Sequence, residues 1–266
     1  MPPDLEFSDN DIGALAAPVR AIAESAGAAI EAIRRRGYDV SRKEDRSLVT
    51  DADHAAEAVI LPALAKLTPG VPILSEEAAA AGDTPTVGTA PIWVADPLDG
   101  TREFVGGGIE YAVCIGLLVD RVPVFGVLHG PGMGLSYWTA GPGTPMRSKD
   151  GAPEEAIHGR PVPEAGPTVI TSRFHENKTG RLAGFLAASG MTERIFMSSA
   201  LKFGLLAEGG ADLYPRFGPT CEWDTAAGQA ILAAAGGCVR TMEGDELGYG
   251  KPDFLNTGFI AHGSKV

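Results

Sequence analysis

Asp96-Pro-Leu-Asp-Gly-Thr101 puts two carboxylates and a hydroxyl on one short turn. An apolar run from Ile92 to Ala95 reads as a buried strand cut off at Pro97. Asp96 and Asp99 are therefore expected at the strand's carboxyl end, where functional residues gather. Pro97 fixes its own φ and biases Asp96 toward extended backbone, while Gly100 can turn sharply before Thr101. Carboxylates held this close repel unless a proton or a cation lies between them, and hard oxygen donors favour Mg²⁺ over zinc or copper. A magnesium site is one expectation; ordinary surface-turn chemistry of Asp-Pro and Asp-Gly pairs is the other.

Three further acidic pieces stand at expected element ends. Asp51 and Asp53 precede a helix from about His54 to Leu67, where acidic side chains are also good caps. Val71 to Ser75 reads as a strand ending on Glu76 and Glu77, and Asp224 lies in Cys221-Glu-Trp-Asp-Thr-Ala-Ala-Gly228. The elements that must carry them follow from pattern. Ser8 to Arg36 has the spacing of one amphipathic helix stopped by Gly37. Tyr111 to Leu118 and Val122 to Leu128 read as a hairpin turning at Asp120-Arg121. Gly141 to Gly166 reads as a connection between halves 1–145 and 146–266. Beyond it, strands at 168–172, 195–198 and 211–216 alternate with helices at 177–189, 201–208 and 224–235, which indicates an α/β second half.

Composition narrows the function classes. At 266 residues and 44% hydrophobic content the chain can bury one large core or two ordinary ones. A net charge of -12 argues against a nucleic-acid-binding face. A polyanionic small substrate would need local positive charge, most simply from metal ions. Cys114, Cys221 and Cys238 are an odd number without metal-ligand spacing, which fits a reducing cytoplasm. No window reaches the ~18 consecutive apolar residues that a membrane-spanning helix requires.

Taken together, these pieces resemble the lithium-sensitive, magnesium-dependent phosphatase superfamily that includes inositol monophosphatase and fructose-1,6-bisphosphatase. Its signatures Asp-Pro-x-Asp-Gly-Thr/Ser and Trp-Asp-x-Ala-Ala-Gly stand here as Asp96 to Thr101 and Trp223 to Gly228, with Ser75-Glu-Glu77 upstream. Ser47-Leu-Val-Thr-Asp-Ala-Asp53, Asp96 to Phe104, Ser172-Arg-Phe-His175, Leu201-Lys-Phe203 and Leu213-Tyr-Pro-Arg-Phe-Gly-Pro-Thr220 are similar to the CysQ-type 3'(2'),5'-bisphosphate nucleotidase branch. The likeness spans roughly residues 45 to 262.

The resemblance implies an α/β and α+β layered sandwich, with the metals in the cleft between an α+β N-terminal half and an α/β C-terminal half. It implies that Glu76, Asp96, the Leu98 carbonyl, Asp99 and Asp224 hold two or three Mg²⁺ ions, with Glu77 supporting them. Thr101 paired with Asp53 would orient or deprotonate the attacking water. Gly100, Thr101, Ser172, His175, Ser199, Lys202, Arg216 and Asp224 would face the substrate, Lys202 or Arg216 pairing with the phosphate that is not cleaved. The implied reaction removes the 3'-phosphate from adenosine 3',5'-bisphosphate, with action on its sulfated form, in sulfur assimilation. Inhibition by lithium and calcium would follow, in the cytoplasm or with peripheral association on the inner membrane. An inositol-1-phosphate or related sugar-phosphate phosphatase, and a non-catalytic phosphate-binding module, remain open alternatives. Two departures stand out: Ala200 where relatives carry serine, and the residues flanking the hairpin, including Gly106-Gly-Gly108 and His129-Gly-Pro131.

Overall fold

The computed structural model describes residues 7–43, 47–173 and 180–265. The expected first helix is two, α1 (Asp9–Ala14) and α2 (Ala16–Arg36). Pro18 has no N–H to offer the Ala14 carbonyl and its ring crowds that oxygen, so the helix is interrupted at Leu15. Ser8 and Asp11 cap α1 reciprocally, and Gly37 ends α2 at φ 86°. A short ribbon, β1 (Val40–Arg42) with β2 (Leu48–Thr50), leads to α3 (Asp51–Leu67). This helix starts three residues before the expected His54. Thr50 caps it by accepting from the Ala52 N–H, while Asp53 accepts from the Thr50 N–H at 2.8 Å.

The first large sheet runs in chain order: β3 (Ile73–Ser75), β4 (Ile92–Asp99), β5 (Ala112–Val119), β6 (Val122–Gly130), β7 (Leu135–Thr139), β8 (Pro145–Lys149) and β9 (Glu155–Ala156). Only β3 and β4 pair in parallel. The glutamates expected to end β3 instead open α4 (Glu76–Ala80). Strand β4 does not stop at Pro97. It continues to Asp99 through a bulge between Asp96 and Asp99, where a residue without an N–H costs no ladder bond. Thr101–Val105 then forms α5. The β5–β6 hairpin is as expected, with Asp120 and Arg121 at φ 52° and 62°, a type I′ geometry. The segment 141–166 is not a plain connection. Strands β8 and β9 lie within it and extend the first sheet, so the passage to the second sheet falls in 157–167.

The second sheet begins with β10 (Thr168–Thr171), α6 (Arg181–Ala188), β11 (Glu193–Phe196), α7 (Leu201–Ala207) and β12 (Leu213–Arg216), the alternation read from sequence. Residues 177–179 of the expected helix lie outside the described residues. The pair β13 (Thr220–Cys221) and β15 (Leu255–Asn256) flanks α8 (Ala226–Ala234). Strands β14 (Cys238–Thr241) and β16 (Phe259–His262) then add antiparallel to β12, so the sheet order is β11-β10-β12-β16-β14 and the sheet is mixed.

Layers alternate. Helices α2 and α3 bury Val19, Ile30 and Ile60 against one face of the first sheet, and α7 and α8 fill the space between the sheets with Leu201, Phe203 and Ile231. Helix α6 covers the far face of the second sheet with Leu182 and Leu186. The middle layer sits unusually close. A Cβ on Gly126 would lie 2.2 Å from the Ala227 carbonyl oxygen, and one on Gly116 would lie 2.9 Å from the Ala227 nitrogen. Glycines in β5 and β6 thus let the backbone of α8 press on the sheet, which fixes Asp224 two residues ahead of the helix. Among the described residues no helix is long and apolar enough to cross a membrane.

Two predictions follow from the packing. Gly126→Ala forces α8 off the sheet, carrying Asp224 with it, and is expected to cost roughly 1–3 kcal/mol in urea unfolding. His129 is half-enclosed by α2, its ring against Gly27 and its Nδ1 2.8 Å from Ser136 Oγ, and burial lowers its pKa to about 4. The unfolded chain takes up this proton first, near pH 6.5. The contribution is therefore complete above that pH and is lost as pH falls toward 4, about 3 kcal/mol in all. Unfolding free energy against pH for wild type minus His129→Gln should show a positive slope confined to this window; the subtraction removes the site carboxylates.

Candidate active site

Helix α3 acts as a ruler. Asp53 in its first turn accepts from Thr50 at Oδ2, both from the hydroxyl at 2.7 Å and from the N–H at 2.8 Å, leaving Oδ1 toward Thr101 Oγ1 at 3.2 Å. One turn later Glu57 takes the Ser75 hydroxyl and, at 3.2 Å, the Ala78 N–H. It thereby anchors the start of α4 and the backbone that carries Glu76. Two i,i+4 carboxylates thus locate two separate pieces of the site.

Carboxyl oxygens of Glu76, Asp96 and Asp224 lie within 4.8 Å of one another. They come from the start of α4, the bulge in β4 and the turn before α8. Asp96 Oδ1 is steadied by the Leu98 N–H at 2.9 Å and Asp224 Oδ2 by the Cys221 N–H at 2.8 Å. Beneath Asp224, buried Glu222 accepts from the N–H groups of Gly250 and Lys251, each at 3.0 Å, and ties the 249–251 loop to this turn. Burial first, then the charges of Glu76, Asp99 and Asp224, push Asp96 well above the usual carboxylate range. Burial, Asp99 and Glu76 do the same to Asp224. Lys43 Nζ offsets part of this charge, 2.5 Å from Glu76 Oε1 and 2.7 Å from Glu77 Oε1. Even so, burial lifts Glu77 to about 7. An all-oxygen, charge-crowded set fits a hard divalent cation.

Asp99 lines the same cleft, but its carboxylate takes the N–H of Ala200. Burial raises its pKa against the opposing pull of Lys202. Gly100, at φ 97°, turns the chain into α5, and Thr101 Oγ1 lies within 3.2 Å of both Asp53 Oδ1 and the Leu98 carbonyl. Burial also raises Asp53, opposed by its bonds from Thr50.

Across a cleft of about 240 Å³, the second sheet and α7 supply Ser172, Ser199, Lys202 and Arg216. Lys202 is buried; its Nζ donates to the Ser199 carbonyl and stands 4.9 Å from the centre of the Tyr214 ring, and burial lowers its pKa to about 8. Arg216 donates to the Pro219 carbonyl at 3.2 Å, while its Nε is buried without a hydrogen-bond partner among the described residues. The wall therefore presents two cations opposite the carboxylates. Of the residues expected to face the substrate, His175 lies outside the described residues; the others line this one cleft.

The Inositol monophosphatase family signature matches residues 14–265. The chain belongs to the inositol monophosphatase family. Within it, the chain is 40% identical over 243 residues to the 3'(2'),5'-bisphosphate nucleotidase CysQ of Salmonella typhimurium, covering 90% of this chain and 95% of that one. It is 40% identical over 247 residues to the Escherichia coli protein of the same name, with the same coverage. The crystal structure of CysQ from Bacteroides thetaiotaomicron superposes with a TM-score of 0.75 at 31% identity, covering 96% of this chain and 97% of that one. The layered α/β and α+β sandwich expected from sequence is the fold observed.

Enzymes of the inositol monophosphatase family are metal-dependent, and the cluster of Glu76, Asp96 and Asp224 suits that chemistry. Sequence reasoning missed Lys43, Glu57, Glu103 and Glu110. Lys43 stood in a polar run with no periodic signal, and the three glutamates act through partners at least 18 residues away. Because Asp96 and Asp224 hold protons more tightly than free carboxylates, a divalent cation entering the cluster should expel protons. Calorimetric titration with Mg²⁺ in buffers of different ionisation enthalpy is expected to show proton release, larger at about pH 6 than at about pH 8 and reduced in Asp96→Asn.

Proposed function

We propose that this protein hydrolyses the 3'-phosphate of adenosine 3',5'-bisphosphate to AMP and inorganic phosphate, acts also on the sulfated form, and serves sulfur assimilation in the cytoplasm. The observation that carries this reading is the cationic wall of Lys202 and Arg216 facing the carboxylate cluster. A substrate with two phosphates needs one partner for the group that reacts and another for the group that stays. The 40% identity to proteins named as bisphosphate nucleotidases supports the same choice. Peripheral attachment to the membrane gains no support.

In this reading two or three Mg²⁺ ions are held by Glu76, Asp96, the Leu98 carbonyl, Asp99 and Asp224, with Glu77 behind them. When bound they supply positive charge for the phosphate oxygens and the leaving oxygen, and acidify the attacking water. The chain's own residues do the rest. Thr101 Oγ1 accepts a proton from the water while passing its own to Asp53 Oδ1, which is free to receive it because Thr50 occupies Oδ2. The hydroxide so formed attacks phosphorus, the bond to the 3'-oxygen breaks with its electrons on that oxygen, and a proton from solvent completes the 3'-hydroxyl of AMP while Asp53 returns the proton it took to solvent. Gly100 and Thr101, at the start of α5, line the cleft on the side of the scissile phosphate, while Ser172, Ser199, Lys202 and Arg216 of the same cleft receive the nucleoside and 5'-phosphate.

Phosphate release from adenosine 3',5'-bisphosphate, inositol 1-phosphate and fructose 1,6-bisphosphate, with Mg²⁺ and with Mg²⁺ plus lithium, tests the reading. A strong preference for the nucleotide and suppression by lithium are expected; preference for inositol 1-phosphate would overturn the substrate assignment. Asp53→Asn should lower kcat about 10²–10⁴-fold with little change in KM, the range for a lost general base. Lys202→Ala should instead raise KM for the bisphosphate about tenfold, as expected for a lost charge-assisted bond.

A further inference from the structure

The wall that carries Lys202 is held in an uncommon shape. Ser199 has φ 59°, the left-handed region that a residue with a side chain seldom adopts, and this turns its carbonyl to Lys202 Nζ. Such a turn persists only where its surroundings over-determine it. Here the surroundings are three carboxylates from the stretch just after the bulge of β4. Asp99 takes the Ala200 N–H, Glu110 Oε2 takes the Ser198 N–H at 2.9 Å, and Glu103 Oε2 takes the Ser198 hydroxyl at 2.8 Å. Helix α7 has no side-chain cap of its own, since residue 200 is alanine.

Glu103 is buried, and the space for its carboxylate comes from the glycine run. A Cβ on Gly108 would lie 1.7 Å from Glu103 Oε1. No positive φ is needed at Gly108, so the missing side chain there serves room rather than backbone freedom. Glu110 also takes Arg173 Nε at 3.0 Å and Nη2 at 2.8 Å, which joins the residue after Ser172 to the same anchor.

From this geometry we infer that Glu103, seated on Gly108 and aided by Glu110, is a positioning residue for substrate choice: it holds the Ser198–Ala200 turn so that Ser199 presents Lys202 to the phosphate that is not cleaved. The inference rests on the nucleotidase reading for its substrate but not for its mechanics. Removal of the clamp loosens Lys202 without touching Asp53, Thr101 or the cluster of Glu76, Asp96 and Asp224.

The test is a double-mutant cycle on the full chain with Mg²⁺. Glu103→Ala is expected to raise KM for adenosine 3',5'-bisphosphate about tenfold with kcat changed less than about twofold, as for loss of a charge-assisted contact. Gly108→Ala should reproduce this by displacing the carboxylate, and Glu103→Ala/Gly108→Ala should be no worse than Glu103→Ala alone, because the clash has gone. Glu103→Gln keeps an acceptor for the Ser198 hydroxyl and should remain near wild type. Amide hydrogen exchange across 197–204 should accelerate at least about tenfold in Glu103→Ala and Gly108→Ala, and not in Glu103→Gln, consistent with local opening. Additive effects of the two substitutions, or unchanged exchange in both single variants, would overturn the clamp. Should wild type not prefer the bisphosphate, the nucleotidase reading falls, and the exchange data alone then decide for or against the clamp.

Discussion

Negative charge taken out of water must be compensated, and most of this structure serves to gather carboxylates that would otherwise keep apart. Glu76, Asp96 and Asp224 arrive from a helix start, a strand bulge and a turn between the sheets. Each is fixed by neutral donors or by a neighbouring helix rather than by one fully satisfying cation, so the cluster holds unspent affinity for a divalent ion. Lys43 moderates the repulsion at Glu76 and Glu77 without reaching into the rest of the group's hydrogen bonds. A folded protein can carry such a cluster because packing elsewhere is extensive: two sheets and three helical layers bury apolar side chains around it.

The same economy appears in single residues. Asp53 closes the capping box of α3 with one oxygen and addresses Thr101 with the other, so helix stability and chemistry do not compete. Asp99 takes the N–H of Ala200, the residue that opens α7, and so supplies from the first sheet the bond that a capping-box glutamate at residue 203 would make locally.

Much of this was legible in the sequence. Asp96, Asp99 and Thr101 could be placed on a turn because Pro97 and Gly100 restrict the backbone around them, and the β5–β6 hairpin because Asp120-Arg121 separates two apolar runs. What could not be read depends on partners remote in the chain. Pro97 breaks an isolated strand but is harmless inside a bulge that the neighbouring strand β5 creates. Glu76 looked like a strand end because nothing local reveals that Glu57 will anchor the next helix. Strands β8 and β9 lie in a stretch without periodicity, paired to the sheet edge by tertiary contact alone. The α2 break at Leu15 is different: Pro18 stated it plainly, and the apolar spacing of the whole segment outweighed it.

The closeness of α8 to the first sheet has a consequence for the order in which the protein matures. Asp224 is the last of the clustered carboxylates to leave the ribosome, and it reaches Glu76 and Asp96 only after α8 has docked on Gly116 and Gly126. A nascent chain that has completed only the seven-stranded sheet holds two of the three. Under the proposed function, metal capture then waits for the docking of the two sheets, and a half-assembled chain offers the ion no closed site.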